Sequence, residues 1–290
     1  DRHVLSASSH MGGGFISKIT SLVSIFFSTL NVKKMFKQRR PTVVVGFGGY
    51  PSLPAVLAAR SMKIPYVLHA PHAVLGRVNR SMAKNAELVA LSVENTDRVP
   101  EGVNATVTGN PVRTLIANLA NIAYAVPLGF GDIRLLVLGG SQGARILSDV
   151  VPAALAALSN DYRERLDVMH QARPEDVDRV RIAYEEAGIR AVIEPYFNDV
   201  GGILLKAQLV IARSGASTLA ELTAMGRPAI LVPLAIAADK HQAANAAIIK
   251  EAGGGWVIEE SDFTAEMLTE LLYKLFDDMG DMRDASDGMP

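Results

Sequence analysis

Short apolar runs rich in Val, Ile and Leu recur along this chain, and several end in small-residue turns that open helical segments. Residues 41–45 (PTVVV) run into Gly46-Phe47-Gly48-Gly49-Tyr50, and a helix is predicted over residues 52–62. Residues 64–68, 88–91 and 105–108 read as further strands. Continuous apolar runs suit parallel strands buried on both faces, and strand–helix alternation joins them by right-handed crossovers. Residues 114–132 break the rhythm and read as a linker. The alternation restarts with strands predicted at 133–138, 167–171, 191–193, 209–212, 229–232 and 256–257. The expectation is an α/β chain of two Rossmann-like domains, residues 1–113 and 133–275, with a linker at 114–132 and a C-terminal tail at 276–290.

A length of 290 residues suits two domains, and 49% hydrophobic residues can fill two cores. A net charge of −1 argues against non-specific nucleic-acid binding. The absence of cysteine excludes disulfides, thiolate metal sites and a Cys nucleophile. The chain opens Asp1-Arg2-His3 without Met, and both ends read as cuts in a longer protein.

Residues 15–36 read FISKITSLVSIFFSTLNVKKMF, with a broad apolar stripe of helical period. The apolar part is too short and too rich in Ser and Thr to span a bilayer. Lys18 precedes it, and Lys33, Lys34, Lys37, Arg39 and Arg40 follow. Such a helix either packs on a sheet or lies on an anionic membrane.

Residues 211–246 carry the densest chemistry. Ser214-Gly215-Ala216-Ser217-Thr218 brings hydroxyls and backbone N–H groups to a helix start, which favours anions. Glu221 stays near that helix mouth, where a carboxylate can accept two hydrogen bonds from a ribose diol. Asp239, His241, Gln242 and Asn245 cluster on a loop and the next helix start. The group suggests a nucleotide-sugar pocket; it also suits an ordinary αβα unit with polar caps. Residues 135–145 (LLVLGGSQGAR) form a strand, glycine loop and helix start able to admit phosphate oxygens. The spacing of Gly139, Gly140 and Gly143 departs from the dinucleotide fingerprint, and the P-loop lysine is absent. Arg113 can reach a diphosphate at the domain junction. His69 and His72 share a loop and are acid–base candidates. Asp176-Val177-Asp178 resembles a metal-binding Asp-x-Asp but lies in a charge-rich amphipathic segment, so it reads as a solvated face.

The blocks VVGFGGYPSLPAVLAA, residues 69–80, TGNPVR, LLVLGGSQGAR, and RSGASTLAEL through HQAANA occur in one order. Together they resemble the MurG family, bacterial UDP-N-acetylglucosamine-dependent N-acetylglucosaminyltransferases of peptidoglycan synthesis. The resemblance implies a GT-B fold, two Rossmann-like domains facing across a cleft, with the N-terminal one incomplete. It implies no cofactor and no metal. The implied reaction is inverting transfer of GlcNAc from UDP-GlcNAc to the C4 hydroxyl of the muramyl sugar of lipid I, giving lipid II. The implied donor contacts are Ser141, Gln142 and Gly143 at the diphosphate with Arg113 nearby, and the Phe197 backbone at uracil. Ala216, Ser217, Thr218, Leu219 and Ala220 would line the nucleotide, with Glu221 on the ribose and Gln242 on the sugar hydroxyls. His72, Asp239, His241 and Asn245 are further candidates. Phe15, Lys18, Ile19, Leu22, Ile25 and Phe26 would form a membrane-facing patch. The implied location is peripheral, on the cytoplasmic face of the bacterial inner membrane. The implied partners are an anionic membrane surface and cell-wall synthesis proteins, with no nucleic acid.

Two departures from the family pattern stand out. The family's opening strand and GGTGGH loop have no counterpart, since His10-Met11-Gly12-Gly13-Gly14 has the wrong order and follows no strand. The family's HEQNA reads His69-Ala70-Pro71-His72-Ala73, so His72 stands where an Asn is expected. The catalytic base is therefore unassigned, with His72 the candidate that remains. Two alternatives stay open: a donor-binding remnant of low turnover, and another GT-B UDP-sugar enzyme such as a UDP-GlcNAc epimerase.

Overall fold

The computed structural model describes residues 15–120, 122–126, 131–140 and 143–290, with side chains in the first helix from Thr20 onward and without that of Ala238. Ser141 and Gln142, the segment 10–14, and the side chains of Phe15, Lys18 and Ile19 lie outside the described residues. The chain divides into two compact units between Asn110 and Pro111.

In the first unit the described elements are α1 (Phe15–Gln38), β1 (Val44–Gly46), α2 (Gly49–Ser61), β2 (Tyr66–Ala70), α3 (Arg77–Met82), β3 (Leu88–Leu91) and β4 (Ala105–Val107). The four strands lie side by side in chain order, all parallel. Val56, Leu68, Leu75 and Val89 are fully buried and centre the core. Helix α1 is apolar on two opposite sides, which the sequence stripe merged into one. Val32 and Ser28 are buried and Phe36 is half-buried, on the side that faces α2. Leu22, Val23, Phe26, Phe27 and Leu30 are exposed on the other side. Lys33, Lys34 and Lys37 follow Phe26, Phe27 and Leu30 at seven-residue spacing and so continue that outer side. Ile25, expected on the outer patch, is half-buried, because its helical position falls on the inner side.

The second unit contains α4 (Thr114–Leu119), β5 (Ile133–Leu138), α5 (Arg145–Ala156), α6 (Asn160–Arg163), β6 (Leu166–Gln171), α7 (Val177–Glu186), β7 (Arg190–Glu194) and α8 (Val200–Lys206). It continues through β8 (Leu209–Ala212), α9 (Ala216–Met225), β9 (Ala229–Leu231), α10 (His241–Glu251), β10 (Gly255–Val257), α11 (Ala265–Asp277) and α12 (Gly280–Asp287). The sheet is all parallel, with order β10-β9-β8-β5-β6-β7. One face is buried by Leu147, Val151, Leu155, Leu268 and Leu272. The other is buried by Ile116, Leu204, Leu219, Leu222 and Ile249. From β5 the chain builds outward through β6 and β7, then returns to build the opposite way from β8. The crevice at the C-terminal ends of β5 and β8 is therefore the topological switch point, where open α/β sheets bind ligands.

Asp176 is not on a solvated face: it is 6% exposed, and its carboxylate meets Arg179 at 2.9 Å and Arg173 at 3.5 Å. Helical periodicity could not show this, because Arg173 precedes the helix and folds back over it. Asp178 does face solvent. His170 is fully buried on β6, its Nδ1 sharing a 2.9 Å hydrogen bond with the Tyr184 hydroxyl. Burial pushes its pKa down to about 3, helped by the Arg179 charge and opposed by Asp176. An unfolded His titrates near 6.5, so below that pH the unfolded chain holds a proton that the folded chain lacks. The resulting stability is complete above about pH 6.5 and is lost as pH falls toward about 3. Thermal melts should show it: between about pH 7 and pH 4.5, His170→Gln should lose roughly 2–3 kcal/mol less stability than the unsubstituted chain. Parallel pH curves would contradict this.

Candidate nucleotide-sugar site

Two loops flank the switch point. The first follows β5 and contains Gly139, Gly140, Gly143 and Ala144 before α5 begins. A Cβ on Gly139 would lie 2.4 Å from the Ala144 nitrogen and 2.8 Å from Gly143 backbone atoms, so the loop closes only over glycine. Gly143 has φ +68°, and a Cβ there would meet the Arg173 side chain at 2.5 Å. The second loop follows β8 and places Gly215 as N-cap of α9, with no side-chain cap. A helix start of this kind, with its dipole and backbone donors, suits an anionic or polar ligand. Ala216 and Leu219 are buried, Thr218, Ala220 and Glu221 half-buried, and Ser217 is exposed.

Sequence reasoning placed Arg113 and Glu221 on different parts of one ligand; the structure pairs them with each other. Arg113 Nε donates to Glu221 Oε1 at 2.8 Å, and its terminal nitrogen to Oε2 at 2.9 Å. The Glu221 side chain is 15% exposed and that of Arg113 47%. The hydrogen bond to Glu221 raises Arg113 above its ordinary value, with desolvation opposing.

A clasp that sequence reasoning did not single out shapes the loop after β9. Arg213, buried at the end of β8, donates to the carbonyls of Val232 and Pro233 and to Glu260 Oε2, at 3.0–3.2 Å. The same Glu260 oxygen accepts from Ala235 N at 2.9 Å. Burial raises the Glu260 carboxyl, but the Arg213 and Ala235 hydrogen bonds and the Arg213 charge outweigh it and hold it below the usual range. Gln242 Oε1 accepts from Leu234 N at 3.0 Å, and its carbonyl accepts from Ser214 Oγ at 2.8 Å. Asn245 Nδ2 donates to Ser214 O at 3.1 Å. These bonds tie α10 to the β8 loop and fix the Gln242 side chain. Asn245 is thus buried and structural here. Asp239 and Lys240 both adopt left-handed φ, at 54° and 53°, in the turn leading to His241. Such backbone costs about 1 kcal/mol or more per residue and gathers at ligand sites.

On the other side, Phe197 is 6% exposed and packs in the cluster of Ile116, Leu138 and Leu204. Neither its N–H nor its C=O enters a backbone hydrogen bond among the described residues. In the first unit the two histidines do not share a loop: His69 lies within β2, paired beside Ala90, and His72 on the loop that follows. His69 is buried, its Nε2 sits 3.3 Å from Gly109 O, and its ring lies 5.3 Å from Phe47. Asn79 holds the His69 carbonyl and Asn110 that of Pro71. That places His69 in the scaffold, while His72 is half-buried on the loop after β2.

The sequence profile of the glycosyltransferase family 28 C-terminal domain matches residues 134–286, and that of its N-terminal domain matches residues 2–91. Two parallel α/β units with these matches make the chain a glycosyltransferase of the GT-B class. Curated relatives named UDP-N-acetylglucosamine–N-acetylmuramyl-(pentapeptide) pyrophosphoryl-undecaprenol N-acetylglucosamine transferase share much of the sequence. The one from Granulibacter bethesdensis is 46% identical over 99% of this chain and 75% of its own length. The one from Rhodospirillum rubrum is 45% identical over 92% and 69%. The crystal structure of Acinetobacter baumannii MurG superposes with a TM-score of 0.74 at 29% identity, covering 91% of this chain and 74% of that one. The chain belongs to the MurG family. A Listeria monocytogenes structure described as a UDP-N-acetylglucosamine 2-epimerase superposes with a TM-score of 0.66 over 96% of this chain and 76% of that one, at 17% identity, a likeness of fold alone.

Proposed function

We propose that this chain transfers GlcNAc from UDP-GlcNAc to the C4 hydroxyl of the muramyl sugar of undecaprenyl-diphosphate-linked lipid I, giving lipid II. The observation that carries the reading is the arrangement at the switch point. A glycine loop, a glycine-capped helix start, a carboxylate–guanidinium pair and a fixed carboxamide gather at one sheet edge. The α9 start and Glu221 take the ribose, and the Phe197 backbone takes uracil. Gln242 has its amide oxygen occupied by Leu234 and offers its amide nitrogen to the sugar hydroxyls. As the C4 oxygen attacks C1, the C1–O bond to the β-phosphate breaks and negative charge grows on the departing UDP. The glycine loop, the α5 start and Arg113 stabilise that charge, while the fixed loops hold the donor in line. The C4 proton passes to a base, for which His72 is this chain's candidate. Isothermal titration with UDP-GlcNAc, beside a UDP-release assay on a lipid I analogue, tests this. Binding with turnover is expected; binding without turnover would leave a donor-binding protein instead.

The outer side of α1 supports a peripheral place on the cytoplasmic face of the inner membrane. No helix among the described residues is long and apolar enough to cross a membrane. Leu22 is 66% exposed and Phe26 59% exposed, with the Lys33, Lys34 and Lys37 charges continuing the same side. Apolar insertion and roughly 1 kcal/mol per cation near an anionic surface combine there. Leu22→Ser together with Phe26→Ser is expected to weaken sedimentation with phosphatidylglycerol vesicles about tenfold or more. Equal binding to neutral phosphatidylcholine vesicles would remove the charge component.

A further inference from the structure

Gln171 is the last residue of β6, the strand between β5 and β7. Its position therefore lies between the glycine loop after β5 and the Phe197 loop after β7. Gln171 Nε2 donates to Gly140 O at 3.3 Å and to Pro195 O at 3.2 Å. A carboxamide nitrogen carries two hydrogens, so both are placed. The Gly140 carbonyl also accepts from Gly143 N at 3.1 Å, which fills its two acceptor positions. Two residues further on, the Arg173 stem lies against Gly143 where a Cβ would be, and Asp176 steadies its guanidinium at 3.5 Å. Gln171 at the end of β6 and Arg173 just past it thus hold the glycine loop at Gly140 and Gly143, and Gln171 also reaches the neighbouring loop.

We propose that Gln171 is a positioning residue for the donor, tying the loop that receives the diphosphate to the loop that reads the base. The reading rests on the UDP-GlcNAc assignment above. The tie sets the spacing between the two loops before the nucleotide arrives, so a ligand that spans both loses less freedom on binding. A ligand that touches one loop gains nothing from it.

Gln171→Met keeps the length and removes both donors. UDP binding should weaken about 5- to 30-fold, while uridine, which lacks the diphosphate and so does not engage the glycine loop, should change less than about twofold. In turnover the loss should fall on KM for UDP-GlcNAc, with kcat within about threefold. Gln171→Glu adds a second readout. Its carboxylate faces two carbonyl oxygens at pH 8 and should bind UDP more weakly than the Met variant. Facing carbonyl oxygens disfavours its charged form, and protonation at lower pH restores one O–H donor and should recover part of the affinity. Equal weakening of uridine and UDP would reduce Gln171 to a fold-supporting residue and overturn the proposal. Unchanged UDP affinity in Gln171→Met would also overturn it, with the donor assignment intact. Failure of the unsubstituted chain to bind UDP would overturn both.

Discussion

Glu221→Ala is expected to weaken UDP binding by one to two orders of magnitude, and to erase the distinction between UDP and 2′-deoxy-UDP. The carboxylate is 15% exposed and fixed by two hydrogen bonds from Arg113, so it presents its remaining lone pairs in a set direction. Each hydrogen bond from a ribose hydroxyl to such a charged acceptor contributes about 1.5–3 kcal/mol, or tenfold and upward in affinity. Alanine removes both and frees Arg113, whose guanidinium can then turn wholly to the diphosphate. That second effect offsets part of the first, which keeps the expected loss below the sum of two charged bonds. The 2′-deoxy ligand separates the contributions: the unsubstituted chain should bind it about tenfold less tightly than UDP, and Glu221→Ala should bind the two alike. The same deoxy penalty in both proteins would show that Glu221 does not touch the ribose.

The second large effect belongs to the glycine loop. Gly139→Ala puts a methyl 2.4 Å from the Ala144 nitrogen and 2.8 Å from Gly143 backbone atoms. No side chain stands there to swing away, so the loop itself must open. Its N–H groups then leave the positions at which they would meet the developing phosphate charge, where one misplaced donor costs about a hundredfold or more in kcat. Turnover should fall at least a hundredfold, with a stability loss of only about 1–3 kcal/mol. A melt combined with a turnover assay reads both. Full activity in a well-folded Gly139→Ala protein would show that the loop does not serve the leaving group.

The strands were legible in the sequence because parallel strands are apolar on both faces and short, and their runs end in glycine or polar residues. Sheet order was not legible. β8 pairs with β5, Leu209 beside Leu135, and no local pattern records that. The switch point therefore came only with the fold, although both loops that flank it had been singled out. Arg113 and Glu221 were each marked for the ligand, yet 108 residues separate them and their mutual pairing left no trace in spacing. Arg213 and Gln171 escaped notice for the same reason, since their partners, backbone carbonyls for both and Glu260 for Arg213, are far from them in sequence. Helix α4 is six residues long without a side-chain cap, and only the burial of Ile116 among Leu204 and Leu222 reveals its place.

The pairing of β5 with β8 also bears on when the protein can begin to work. β5, β6 and β7 follow one another in sequence, so their contacts are local and form early. The partner on the other side of β5 comes only after α8 has been made, and β9 and β10 add to it in turn. The crevice has one wall until that long loop closes, and a nascent chain that stops short of α9 lacks Glu221 altogether. Capture of UDP during refolding therefore reports the closure of this seam, a late event, rather than the first collapse of the core.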